Sequence, residues 1–113
     1  MPKRPIAIVA RRRLAAGDVD GARFAAERLI ARDPLREEAH EVLIAVHGLT
    51  GSRSQVVRQY RRVCDVLARE LGEAPLPETD ATYRTALSRT IARSRERAAE
   101  LEPAIGASLA IVG

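Results

Sequence analysis

Apolar positions recur along the chain with a helical period. Leu35, Ala39, Val42, Leu43, Val46 and Leu49 fall at i, i+4, i+7, i+8, i+11 and i+14, one face of an α-helix. Pro34 sits at the head of this run. Its missing N–H costs nothing at the first helical position, so Asp33 is expected as N-cap and Pro34 as the first residue of a helix, with Glu37 and Glu38 near its positive end. The segment GLTGS, residues 48–52, is expected to end it.

The preceding GDVDGARFAAERLIARD carries a second stripe, Ala22, Ala25, Ala26, Leu29 and Ile30, behind Gly17 and a capping Asp18. Downstream, Ser52 and Gln55 have the spacing of a capping box. Val56, Tyr60, Val63 and Leu67 then form a stripe that Val57, Cys64 and Leu71 widen, which places this helix centrally, with Gly72 closing it. EAPLP is a stiff connector. A last helix over about residues 78–101 follows Tyr83, Leu87, Ile91, Ser94, Ala98 and Leu101, and Pro103 is expected to stop it. The opening PIAIVARRRLAA could hold a strand, but no other strand exists to pair with it, and Ile6, Ala10 and Leu14 fit a helix. The fold class is therefore all-α.

Gly17 and Gly51, each between two helices, are separated by the period of about 34 residues that marks one kind of helical-hairpin repeat. Superposing them pairs Ala22 with Val56, Ala26 with Tyr60 and Leu29 with Val63. Period and pattern resemble the tetratricopeptide repeat, which implies about five helices: two tetratricopeptide-like hairpins plus a closing helix. Ala68 stands where the repeat pattern has its closing proline, so the fourth helix can run on to Leu71.

Two motifs narrow the resemblance. DPLREEAHEVLI, and LARELGEAPLPET followed by Tyr83, resemble the bacterial transcriptional activation domain of the Streptomyces antibiotic regulatory protein family over about residues 10–90. The resemblance implies a tetratricopeptide-like domain C-terminal to a winged-helix DNA-binding domain. It also implies a role in self-association or partner contact during transcription activation. The partners it suggests are that winged-helix domain, RNA polymerase or a second copy of the chain, with DNA engaged only indirectly. Residues 1–9 are read as a basic segment or the start of the first helix, 10–101 as the helical domain, and 102–113 as a tail or the start of a missing domain. The chain is read as a stand-alone domain or a piece of a longer regulator, lacking its own DNA-binding half. Leu76 occupies a connector position where a capping Ser is common, which weakens the expected start of the last helix.

Composition qualifies this picture. Only Phe24, Tyr60 and Tyr83 are aromatic, so Ala, Leu, Ile and Val must fill the core. The pI near 10.2 points to nucleic acid, but the segment Met1 to Arg13 carries +5 of a net +4, leaving −1 on everything after it. Weak nucleic-acid binding through this basic end is one alternative function, and a generic peptide-binding adaptor using the concave face is another. One cysteine excludes an intrachain disulfide and suits a reducing cytoplasm. The longest apolar stretch, AIGASLAIVG, is too short to span a bilayer. Two hairpins leave the ends of the stack uncovered, so an exposed apolar patch or a homodimer is expected.

No constellation points to catalysis. Glu37 and Glu41 share a face, but no phosphate loop or nucleophile–base motif accompanies them, so no enzyme and no cofactor are expected. His40 and His47 are seven apart, the wrong spacing for a metal pair, and read as a polar helix flank. Cys64 reads as a small buried hydrophobe. Arg58, Arg62 and Arg69 lie on one side of the fourth helix. They are the candidate partner-contact residues, able to grip acidic groups, against the plainer reading of a solvated face paired with Asp65.

Overall fold

The computed structural model describes the backbone of residues 5–112 and the side chains of residues 8–101. Among the described residues five helices follow in order: α1 (Pro5–Ala15), α2 (Val19–Arg32), α3 (Glu37–Thr50), α4 (Arg53–Leu71) and α5 (Pro77–Val112). No strand occurs among the described residues.

The repeat is visible atom by atom in the two hairpin turns. Gly17 and Gly51 both adopt the left-handed conformation, at φ of 85° and 83°. The next residue, Asp18 or Ser52, turns its N–H back to the carbonyl of Arg13 or His47. Its side chain then accepts from the N–H three residues on, Gly21 at 3.0 Å or Gln55 at 3.4 Å. Every partner in the second turn lies one full repeat period beyond its counterpart, so the repeat is one of backbone conformation and capping chemistry. The hairpins α1–α2 and α3–α4 stack through α3, and α5 closes the stack against α3 and α4.

The α2 stripe is buried as expected at Ala22, Ala25, Ala26, Leu29 and Ile30. So are Ala39, Val42, Leu43 and Val46 of α3 and Val56, Val63 and Leu67 of α4, but at several points the structure departs from the sequence-based expectations. Pro34 separates α2 from α3 but does not begin α3. Asp33 still gives its N–H to the Leu29 carbonyl, and its own carbonyl accepts from Arg36 N at 3.0 Å, so Pro34 and Leu35 are the middle of a β-turn. The Asp33 carboxylate is engaged inside this turn, by Leu35 N and Arg36 Nε, and helix α3 begins at Glu37. Pro34 thus presets the turn rather than the helix.

The central helix is α3, not α4. It packs against all four others, whereas among the described residues α4 meets only α3 and α5. The residues that widen the α4 stripe do not reach a second layer: Val57 and Cys64 are half-buried and Leu71 is 51% exposed. Helix α3 buries Ala39, His40, Val42, Leu43, Ile44, Val46 and Gly48, most of its circumference.

Helix α5 continues through Pro103 to Val112, a rod of roughly 54 Å at 1.5 Å per residue. Its inward line is Thr79, Tyr83, Ala86 and Thr90, one step round from the expected stripe: Ile91, Ser94, Ala98 and Leu101 are exposed. Residues 91–101 all face solvent, so water can take the carbonyl that Pro103 leaves without a donor. Ile6 and residues 102–113 lie outside the described side chains.

Candidate partner-contact site

The DPLREEAH segment folds into a polar hub under the molecular surface. His40 is fully buried, which overturns its reading as a polar flank. Its Nε2 lies 2.7 Å from the Pro34 carbonyl, and its Nδ1 lies 2.8 Å from Gln59 Nε2. A carbonyl can only accept, so Nε2 carries the hydrogen and the bare Nδ1 accepts from the Gln59 amide. The imidazole therefore ties the β-turn to α3 and α4. Burial pushes its pKa below the ordinary 6.5, and the nearby Arg62 adds to this while the Pro34 carbonyl and Glu37 oppose it.

Glu37 joins the two motifs. Its Oε2 accepts from Leu76 N at 2.6 Å and from Thr79 Oγ1 at 2.5 Å. Leu76 precedes α5 and has no capping side chain, so a carboxylate from the start of α3 takes the orphan N–H instead and faces the positive end of the α5 dipole. One turn on, Glu41 accepts from Thr82 Oγ1 at 2.8 Å through one oxygen and from Arg11 at 2.8 Å through the other. The i, i+4 carboxylates, whose spacing alone would allow acid–base chemistry, are thus fastenings for α5 and α1. Replacing Glu37 with Ala is expected to cost about 1 kcal/mol in urea denaturation. It should also speed hydrogen exchange at the Leu76 amide. An unchanged Leu76 rate would show that the contact does not cap the helix.

Across the α4–α5 seam the rings of Tyr60 and Tyr83 stack at 3.8 Å and 3°, and Tyr60 donates to Asp80 Oδ1 at 2.6 Å. That bond, with burial, raises the Tyr60 pKa above its ordinary value of 10.0. Cys64 is half-buried beside it rather than fully enclosed.

The outer face of α4 is different in kind. Arg58, Arg62 and Arg69 do line one cleft, of about 490 Å³, together with Arg61, Asp65, Val66, Pro34 and His40. Arg61 is absent from the set that the sequence suggests, although i+3 neighbours share a helix surface. Asp65 lies in the same cleft, but among the described residues no ion pair joins it to Arg58, Arg61 or Arg62, and Arg69 reaches only its neighbour Glu70 at 3.6 Å. Nearby, burial lowers the pKa of His47; Glu27 opposes this, and Arg23 of α2 and then Arg58 of this face add to it. Of the N-terminal arginine triplet, Arg11 is held by Glu41, and Arg12 and Arg13 stand exposed. Among the described residues, no group of three or more His, Cys, Asp or Glu could hold a metal ion.

Stacked helical hairpins with a buried polar hub and a largely uncompensated arginine face define a helical-repeat domain whose conspicuous chemistry lies on its surface. The family model described as Bacterial transcriptional activator domain matches residues 6–87, and the chain belongs to that family. It is the activator-domain type of a transcription regulator, a regulatory and not an enzyme family. No curated protein and no solved structure matches the chain.

Proposed function

We propose that the chain is a protein–protein interaction module of a bacterial transcription regulator, with DNA recognition supplied by a winged-helix domain outside these residues. The observation that carries this reading is the α4 face. There Arg58, Arg62 and Arg69 converge on one cleft, and the one ion pair they make among the described residues is that of Arg69 with Glu70. Arginines left this way offer planar donors to a partner's carboxylates. RNA polymerase, the DNA-binding domain and a second copy of the chain are the partners that the family membership favours, and the cytoplasm is the compartment it favours. No helix among the described residues is long and apolar enough to cross a membrane.

A second reading has its own observation. Leu14 of α1, Ala45 and Leu49 of α3, and Ala81, Thr82, Thr85, Ala86 and Arg89 of α5 line a groove of about 380 Å³ that would suit a peptide-binding adaptor. A reporter experiment separates the two. With the full chain fused to a heterologous DNA-binding domain, transcription from the matching operator should rise above that of the DNA-binding domain alone. The triple variant Arg58→Glu, Arg62→Glu, Arg69→Glu should remove most of the rise. No rise with the unsubstituted chain counts against the activator reading; a rise that survives the triple variant but not Ala45→Glu moves the contact to the groove.

A further inference from the structure

We infer that the α4 face docks an acidic polypeptide segment bearing apolar side chains between its carboxylates, in preference to nucleic-acid phosphates. This rests on the partner-contact reading and adds the chemistry of the partner. Arg53, Ser54, Val57, Arg58 and Arg61 line a second cleft of about 680 Å³, and Arg58 and Arg61 border both clefts, so the two form one continuous surface. From Arg53 to Arg69 the helix rises roughly 24 Å, the reach of about seven residues of extended peptide.

Three features favour a polypeptide over a phosphate chain. Val57, half-buried in one cleft, and Pro34, exposed in the other, provide apolar surface among the guanidinium groups, which phosphate and sugar do not need and which leucine-like side chains bury. Asp65 sits among the arginines of the first cleft. A carboxylate there repels phosphates and peptide carboxylates alike, but a polypeptide can turn a backbone N–H to it, whereas a phosphodiester backbone carries no such donor. The basic excess of the chain lies on the segment Met1 to Arg13, so α4 is not part of a broad cationic field of the kind that holds duplex DNA. Carboxylates of the docked segment would meet guanidinium groups in the paired geometry that arginine favours over lysine.

The test uses the full chain and three probes: a short amphipathic peptide of Glu, Leu and Ala, a polyglutamate of equal charge, and a duplex oligonucleotide of equal charge. The amphipathic peptide should bind best, polyglutamate more weakly and the duplex weakest. Affinity for the peptide should fall about tenfold in Arg58→Glu, Arg62→Glu, a change the size of two exposed ion pairs lost. Arg58→Lys, Arg62→Lys should recover the charge but only part of the affinity. Proton NMR adds a readout that misfolding would not mimic. The docked carboxylates should offset Arg58 at His47, so its pKa rises on binding, working with Glu27 against the burial that lowers it. At His40, flanked by Arg62 and Glu37, the rise should be smaller because both ring nitrogens are already engaged. Tighter binding of the duplex, polyglutamate equal to the amphipathic peptide, or peptide binding that leaves the His47 titration unmoved each overturns the inference. Loss of reporter activity in the arginine variants with no peptide bound would keep α4 as the contact and overturn this ligand chemistry alone.

Discussion

His40→Ala is expected to destabilise the domain by about 3 kcal/mol, the largest effect of any single polar substitution in the chain. The imidazole is fully buried, and both its nitrogens are engaged. Its removal leaves the Pro34 carbonyl and the buried Gln59 amide without partners, each at about 1–3 kcal/mol, and opens a cavity where the ring was. His40→Gln should lie between: its amide can donate toward Pro34 but cannot also accept where Nδ1 did. The wild-type protein should show a matching pH dependence. The folded pKa of His40 is below the unfolded 6.5, so the unfolded chain binds more protons between the two values. Stability is therefore full above pH 6.5 and declines on acidification through the lowered folded pKa. Protonation would make Nδ1 a donor facing the Gln59 amide, and Gln59 would have to present its oxygen instead. Urea melts between pH 5 and pH 7.5 would read this as a falling midpoint, shallower in His40→Gln. His47, lowered in the same direction, supplies the remaining slope. A wild-type slope unchanged by the substitution would show that His40 is not the group responsible.

The same residue shows where sequence patterns stop informing. Apolar spacing locates five helices, the α2 stripe to the residue, both hairpin glycines and the caps at Asp18 and Ser52. It fails where polar side chains fill the core. His40 reads as surface because nothing local says that a carbonyl and an amide await it. Thr79 and Thr90, each 1% exposed, escape notice on α5 because a threonine stripe does not register as apolar. With those two omitted, the pattern turns the helix onto Leu87 and Ile91. The choice of α4 as the central helix fails for a related reason. A broad apolar stripe indicates burial only when neighbours exist to cover it, and the number of neighbours is set by the stacking of the whole chain. In the candidate site, Arg58, Arg62 and Arg69 are legible from helical spacing, as is Arg61 from its i+3 relation to Arg58, whereas the apolar floor at Pro34 and Val66 needs the tertiary fold. The two family motifs are legible as separate strings. The Glu37 carboxylate that joins them reaches across most of two helices to Leu76, a contact that no local pattern contains.

Gly48→Ala is expected to destabilise by about 2 kcal/mol, although helix propensity alone favours Ala over Gly by about 1 kcal/mol. The sequence pattern groups Gly48 with the GLTGS terminator, yet it lies inside α3, which runs on to Thr50. Its function is close approach. A Cβ at this position would stand 2.7 Å from the Ala86 Cβ and 2.8 Å from the Ala86 Cα, so the obstacle is the backbone of α5 and not the end of a side chain that can swing away. Relief requires α3 and α5 to separate, which strains the Glu37 and Glu41 fastenings on Leu76, Thr79 and Thr82. Close packing makes this cost outweigh the propensity gain. The double variant Gly48→Ala, Ala86→Gly tests the cause. It removes the nearer of the two obstructing carbons, so it should be less destabilised than the sum of the single substitutions, with a coupling of about 1 kcal/mol. Recovery stays incomplete because the backbone carbon of residue 86 is still in the way. Additive effects would mean that the two helices do not meet at this pair. A Gly48→Ala protein more stable than wild type would mean that the glycine serves α3 alone.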